Sequence, residues 1–193
     1  MRLQVLDNGH TLATKALFVL IRTVSRQPVL DVVKVVKYRS DFYGNPMQKV
    51  TQEAMRGPSS WSVADRELMA AFVAKANECQ FCINAHSAVA QLAYGDAHNV
   101  STLLESSDTT AVGEPLRETL LMLVKLTREG TVSAADMRAV LAAGASREQV
   151  EDALAVCFSF NVITRLADAF GFSVPGQAAF KAGAKYLLAR GYR

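Results

Sequence analysis

Cysteine is scarce in this chain, with three in 193 residues, and so few cannot build the disulfide framework that holds small secreted domains together. An excess of one charge is also lacking. Twenty-one basic and 18 acidic side chains leave a net charge of +3, and the basic residues are scattered rather than gathered into a nucleic-acid footprint. No nucleic-acid partner is expected. The longest apolar runs, residues 16–21 and 153–158, fall far short of the roughly 20 residues that span a bilayer, so no membrane partner is expected either. The opening segment carries Asp7, His10 and Lys15 and lacks the basic-then-apolar order of a secretory signal, which makes the cytoplasm the expected location. Alternating β-branched and aromatic runs are nearly absent, and this argues against any sheet architecture.

What is present is helical periodicity. Half of the residues are hydrophobic and 20% are charged, a balance that suits one globular domain with a substantial core. Ser62 with Asp65, Ser133 with Asp136, and Ser146 with Gln149 have the three-residue spacing of reciprocal helix N-caps. Gly95, Gly113 with Pro115, Gly130, Gly144, Gly171 and Pro175 fall where periodic stretches end. Together these signals predict an all-α fold with helices near 12–24, 28–38, 46–55, 62–76, 80–94, 98–105, 115–128, 134–143, 147–170 and 176–189. Arg56 to Ser60, with Gly57 and Pro58, divides an N-terminal helical arm (1–57) from a core (58–175), which a C-terminal helix (176–193) follows.

Cys79, Cys82 and His86 form a Cys-x-x-Cys-x-x-x-His segment. At about 3.6 residues per turn the three side chains fall within roughly 60° of one another on a helix, and positions three apart are close enough for a disulfide. Thiolate is the reactive form of cysteine, and an ordinary thiol is only slightly ionised at neutral pH. A helix N-terminus beginning after Asn77 and Glu78 would favour the thiolate, and His86 could move protons as the pair opens and closes. A histidine in that role needs an orienting carboxylate, and Glu67, twelve residues before Cys79, is the candidate. In one straight helix the two would lie about 18 Å apart, so the assignment requires the chain to turn near Asn77.

The stretch from Arg66-Glu67-Leu68 through Asn77-Glu78-Cys79-Gln80-Phe81-Cys82-Ile83-Asn84-Ala85-His86 resembles the AhpD-like alkylhydroperoxidases of the carboxymuconolactone decarboxylase superfamily. The resemblance extends more loosely to Phe160 through Gly171, covering most of residues 58–175, and the N-terminal arm resembles that of the peroxidase-related branch. It implies an AhpD-like helical bundle that assembles as a homo-oligomer (dimer, trimer or hexamer). The implied activity is hydroperoxide reduction through the dithiol, with a protein or lipoyl-type dithiol as reductant and no metal or organic cofactor. Glu67 and His86 would form the proton relay, with Cys82 attacking the peroxide and Cys79 resolving the product. Phe81 departs from the family pattern, which has a second histidine immediately before the second cysteine.

Two other readings use the same residues. Cys79, Cys82 and His86 could supply three ligands to zinc, with Cys157 or a carboxylate as the fourth, in a non-catalytic zinc- or partner-binding helical oligomer. A lyase of the same fold is the other, although that branch lacks the cysteine pair. Cys157, within an apolar periodic stretch, reads as core. Arg165 and Asp168 are spaced to pair with each other. His10 and His98 read as surface residues. Trp61, Phe72, Phe81 and Tyr94 are candidates for a pocket beside the thiols or for core packing, with core favoured for Phe72.

Overall fold

The computed structural model describes Arg2, residues 4–106 and residues 111–192. Among these the chain is all-helical, with α1 (Val5–Asn8), α2 (Leu12–Ser25), α3 (Asp31–Tyr38), α4 (Asn45–Arg56), α5 (Val63–Ala76), α6 (Gln80–Tyr94), α7 (Val100–Ser106), α8 (Glu114–Glu129), α9 (Ala134–Ala142), α10 (Arg147–Phe170) and α11 (Gln177–Arg190). The ten expected helices are all present within about two residues, apart from α3, which starts three residues late. Two elements were not foreseen: α1, and a π-helical turn at Ser40–Gly44 in which the Gly44 N–H reaches the Arg39 carbonyl at 2.7 Å. A side chain at Gly44 would collide with the Val36 carbonyl, so this turn requires glycine.

All three expected capping boxes form. Ser62, Ser133 and Ser146 each accept from the backbone N–H three residues on, and Asp65, Asp136 and Gln149 return the bond to the cap. Each such cap contributes about 1 kcal/mol.

α5 is the central helix. Its residues from Arg66 to Ala74 are all buried, as expected of a helix that is apolar all round, and α4, α6, α8 and α10 pack around it. Leu68, Met69, Val73, Leu120, Leu123, Val156 and Phe160 form the middle of the core. With Glu67, Arg66 is one of two exceptions in composition. Its guanidinium donates to the carbonyls of Ala54 (3.3 Å) and Gly57 (2.9 Å), so the buried charge fastens the end of α4 to α5.

At 24 residues, with a mean hydropathy of 1.4 over its most apolar 18, α10 has the length and composition of a bilayer span, a feature that short run lengths concealed. Here its Val150, Ala153, Val156, Cys157 and Phe160 face the core.

Candidate active site

The join between α5 and α6 creates the thiol segment. Asn77 caps α5, Glu78 takes a left-handed φ of 59°, and the Cys79 N–H closes back on the Ala74 carbonyl at 3.0 Å. This is the Schellman way of stopping a helix. Glycine usually occupies the left-handed position, and a side chain there costs about 1–2 kcal/mol. The turn is braced from α10. Asn77 Nδ2 donates to Asn161 Oδ1 (3.1 Å) and Thr164 Oγ1 (3.0 Å), while Asn161 Nδ2 reaches Cys157 Sγ at 3.3 Å. The required turn near Asn77 is therefore present, and α6 folds back along α5.

Cys79 is the N-cap residue of α6, and Cys82 stands three residues on, in its first turn. Both are free thiols, 0% and 1% exposed, and their surroundings are apolar, with Ala74, Phe81, Ala167 and Phe180 closest. The two sulfurs interact strongly but unequally. The Cys82 thiol, helped by the Cys82 backbone N–H, holds Cys79 below its ordinary value against burial and the nearby Asp168 carboxylate. The same interaction, seen from the proton's side, together with burial pushes Cys82 well up. The two shifts run in opposite directions, so of the pair Cys79 is the more readily ionised. This is the polarity expected where one residue caps a helix N-terminus and the other lies inside it.

Glu67, 0% exposed, lies opposite on α5. Its Oε2 meets His86 Nδ1 at 2.7 Å, and its Oε1 accepts from Arg56 Nη2 at 2.7 Å and from Tyr192 Oη at 2.9 Å. Burial pushes the carboxyl up, but the His86 hydrogen bond and charge and the Arg56 guanidinium outweigh it and hold Glu67 below the usual carboxylate range. Because a carboxylate only accepts, Nδ1 of His86 carries the hydrogen that faces Glu67, and Nε2 is the ring atom left to exchange a proton. Among the described residues Nε2 has no hydrogen-bond partner in the protein.

The structure therefore brings Glu67 and His86 together, and Cys79 and Cys82 together, all four on the α5–α6 hairpin. Arg56, at the end of α4, and Tyr192, just after α11, were not foreseen. A basic residue ahead of Gly57-Pro58 looks like an ordinary helix end, and nothing local marks Tyr192.

Other expectations divide. Cys157 is buried core, and Phe81 sits beside the thiols, edge-on to Phe172 and Phe180 at 5.2 and 5.6 Å. Trp61 and Phe72 belong to the main core instead, with Trp61 Nε1 donating to the Gln149 carbonyl at 2.7 Å. Tyr94 binds Asp65 at 2.6 Å, away from the sulfurs. Arg165 and Asp168 do not pair. Asp168 is an exposed carboxylate whose charge disfavours the Cys79 thiolate. His10 is not a surface residue: it is 8% exposed and held between Phe18 and Tyr38. Among the described residues, no group of three or more His, Cys, Asp and Glu side chains converges so as to hold a metal ion, so the zinc reading finds no ligand set.

No protein-family profile matches this chain, and no curated protein matches its sequence. Crystal structures that share its fold include those of two peroxidase-related proteins. An uncharacterised peroxidase-related protein from Silicibacter sp. TM1040 superposes with a TM-score of 0.76 at 21% identity, over 92% of each chain. An alkylhydroperoxidase AhpD core protein, also an uncharacterised peroxidase-related protein, from Ralstonia eutropha JMP134 superposes with a TM-score of 0.74 at 16% identity. That match covers 91% of this chain and 92% of the other. The fold is AhpD-like.

Proposed function

We propose that the chain is a thiol-dependent oxidoreductase that reduces organic hydroperoxides through Cys79 and Cys82, with His86 and Glu67 handling protons. The observation that carries this reading is the pairing of two interacting thiols with a buried carboxylate–imidazole contact of 2.7 Å on one helical hairpin. The AhpD-like fold supports it. A lyase of the same fold would leave the coupled thiols without a task.

Cys79 passes its proton to His86 Nε2, the thiolate attacks the terminal peroxide oxygen, the O–O bond breaks, and the departing alkoxide takes that proton from His86 to leave as alcohol. Cys79 is then a sulfenic acid. The Cys82 sulfur attacks it, the S–O bond breaks, water departs, and a Cys79–Cys82 disulfide remains. An external dithiol of protein or lipoyl type returns the two electrons and two protons, becoming a disulfide itself. No metal or organic cofactor enters this balance. The polarity of the pair makes Cys79 the attacking sulfur and Cys82 the resolving one, the reverse of the order that the family resemblance implies. The apolar wall of Phe81, Phe172 and Phe180 favours an alkyl hydroperoxide over hydrogen peroxide. Exposed Leu12, Val19, Leu20 and Val24 on α2, a helix with no buried residue, favour a homo-oligomer.

The test is consumption of cumene hydroperoxide by the full chain with dihydrolipoamide as electron donor. Turnover that disappears in the Cys79→Ser, Cys82→Ser variant is the expected result. Turnover that persists in that variant, or is missing from the unaltered chain, refutes the proposal.

A further inference from the structure

Resting on that reading, we infer that Tyr192 is a positioning residue of the relay, whose hydroxyl occupies one oxygen of Glu67 and so commits the other to His86. The two carboxylate oxygens are divided without overlap. Oε1 takes Arg56 at 2.7 Å and Tyr192 at 2.9 Å, leaving Oε2 for the imidazole. Without the Tyr192 donor, the carboxylate could rotate or share both oxygens with the ring, and the short Nδ1–H bond to Oε2 would be lengthened and weakened. Burial and the Glu67 charge push the Tyr192 phenol well above its ordinary value, so the hydroxyl stays a donor over the working pH range.

The surrounding chain holds this hydroxyl in place. The ring of Tyr192 lies under the Arg56 guanidinium, 5.1 Å from its carbon, and is nearly parallel to the His86 ring, at 16° and 6.4 Å. The Tyr192 N–H donates to Gln52 Oε1 at 2.7 Å. Gly191 before it has a φ of 69°, and a side chain there would strike the Gln52 amide, so the chain reaches the relay only through glycine. Arg56 Nη2 also donates to the Leu187 carbonyl at 3.3 Å. Segments from α4 and from beyond α11 thus converge on one carboxylate of α5.

Tyr192→Phe keeps the ring and removes only the hydroxyl. The first readout is the pair of ring ¹⁵N shifts of His86, identified against His86→Gln, with His10 and His98 as internal references. The unaltered chain should show a strongly hydrogen-bonded Nδ1–H, and the variant an Nδ1 shift displaced toward that of a weaker hydrogen bond. The second readout is the pH profile of thiol oxidation by cumene hydroperoxide. Loss of a donor raises Glu67, so the acid limb should move up by about half a pH unit, while the thiolate absorbance titration of Cys79 stays where it was. Gln52→Ala, which only loosens the anchor, should shift both readouts in the same direction by less. An unchanged Nδ1 shift and acid limb in Tyr192→Phe would overturn the inference. Absence of thiol oxidation in the unaltered chain would instead remove the proposed function, while the ¹⁵N shifts would still decide the role of Tyr192.

Discussion

The two ends of the site are built in different ways. At the thiol end, everything comes from six consecutive residues: Asn77 stops α5, Glu78 reverses the chain, Cys79 caps α6 and Cys82 faces it from the first turn. At the relay end, Arg56, Glu67, His86 and Tyr192 come from four separate segments and meet only in the folded core. Local backbone geometry is enough to gather a thiol pair, because an N-cap residue and the third residue of the same helix share its first turn. Orienting a buried carboxylate takes several donors from different elements, because each oxygen must be satisfied once water is excluded.

This contrast can be broken at either end. The largest effect belongs to the thiols, which should fail separately. Cys82→Ser should still form a sulfenic acid on Cys79, trapped by a 1,3-dione, without closing a disulfide. Cys79→Ser should form neither product. Sulfenic acid on Cys82 in the Cys79→Ser variant would show that the polarity is the reverse.

Next comes the carboxylate. Glu67→Gln strands the Arg56 guanidinium, and breaking such a buried pair costs about 3–5 kcal/mol, measurable by denaturant unfolding. The pH dependence has a definite sign. Glu67 is held below its ordinary 4.5 in the fold, so its contribution is complete above that value and is lost as pH falls through the folded value. The unaltered chain should therefore lose stability more steeply on acidification below about pH 4.5 than Glu67→Gln does. Parallel curves for the two proteins would mean that the carboxylate is not held as described.

Smaller effects test the turn. Asn77→Ala removes two hydrogen bonds to α10 and should cost about 1–3 kcal/mol, while leaving the ¹⁵N signature of His86 intact. Glu78→Gly relieves the left-handed side chain at φ 59°. It should stabilise the reduced protein by about 0.5–1 kcal/mol, the strain relieved less the entropy that glycine adds to the unfolded chain. A stability loss in Glu78→Gly would show that the glutamate side chain contributes more than its backbone costs.

The same contrast explains what could be read from sequence. Ser62 with Asp65, Ser133 with Asp136 and Ser146 with Gln149 carry their partners within four residues, so the helices they begin were legible. The Cys79, Cys82 and His86 stripe was legible for the same reason, and Glu67 followed once a turn near Asn77 was required. Arg56 and Tyr192 were not, because their meaning depends on a carboxylate 11 and 125 residues away. His10 misled as a lone histidine among polar neighbours, since its burial depends on Phe18 and Tyr38 closing over it. α1 escaped notice because its first turn has no side-chain cap.

The central claim is that Cys79 and Cys82 are a working pair and that Cys157 is not part of it. Reduced protein should be treated with one equivalent of cumene hydroperoxide, alkylated, digested without reductant and weighed by mass spectrometry. The account predicts a peptide lighter by two hydrogens that contains a Cys79–Cys82 disulfide, with Cys157 alkylated in full once unfolded. Three alkylated cysteines after peroxide treatment, or a disulfide that includes Cys157, would contradict it.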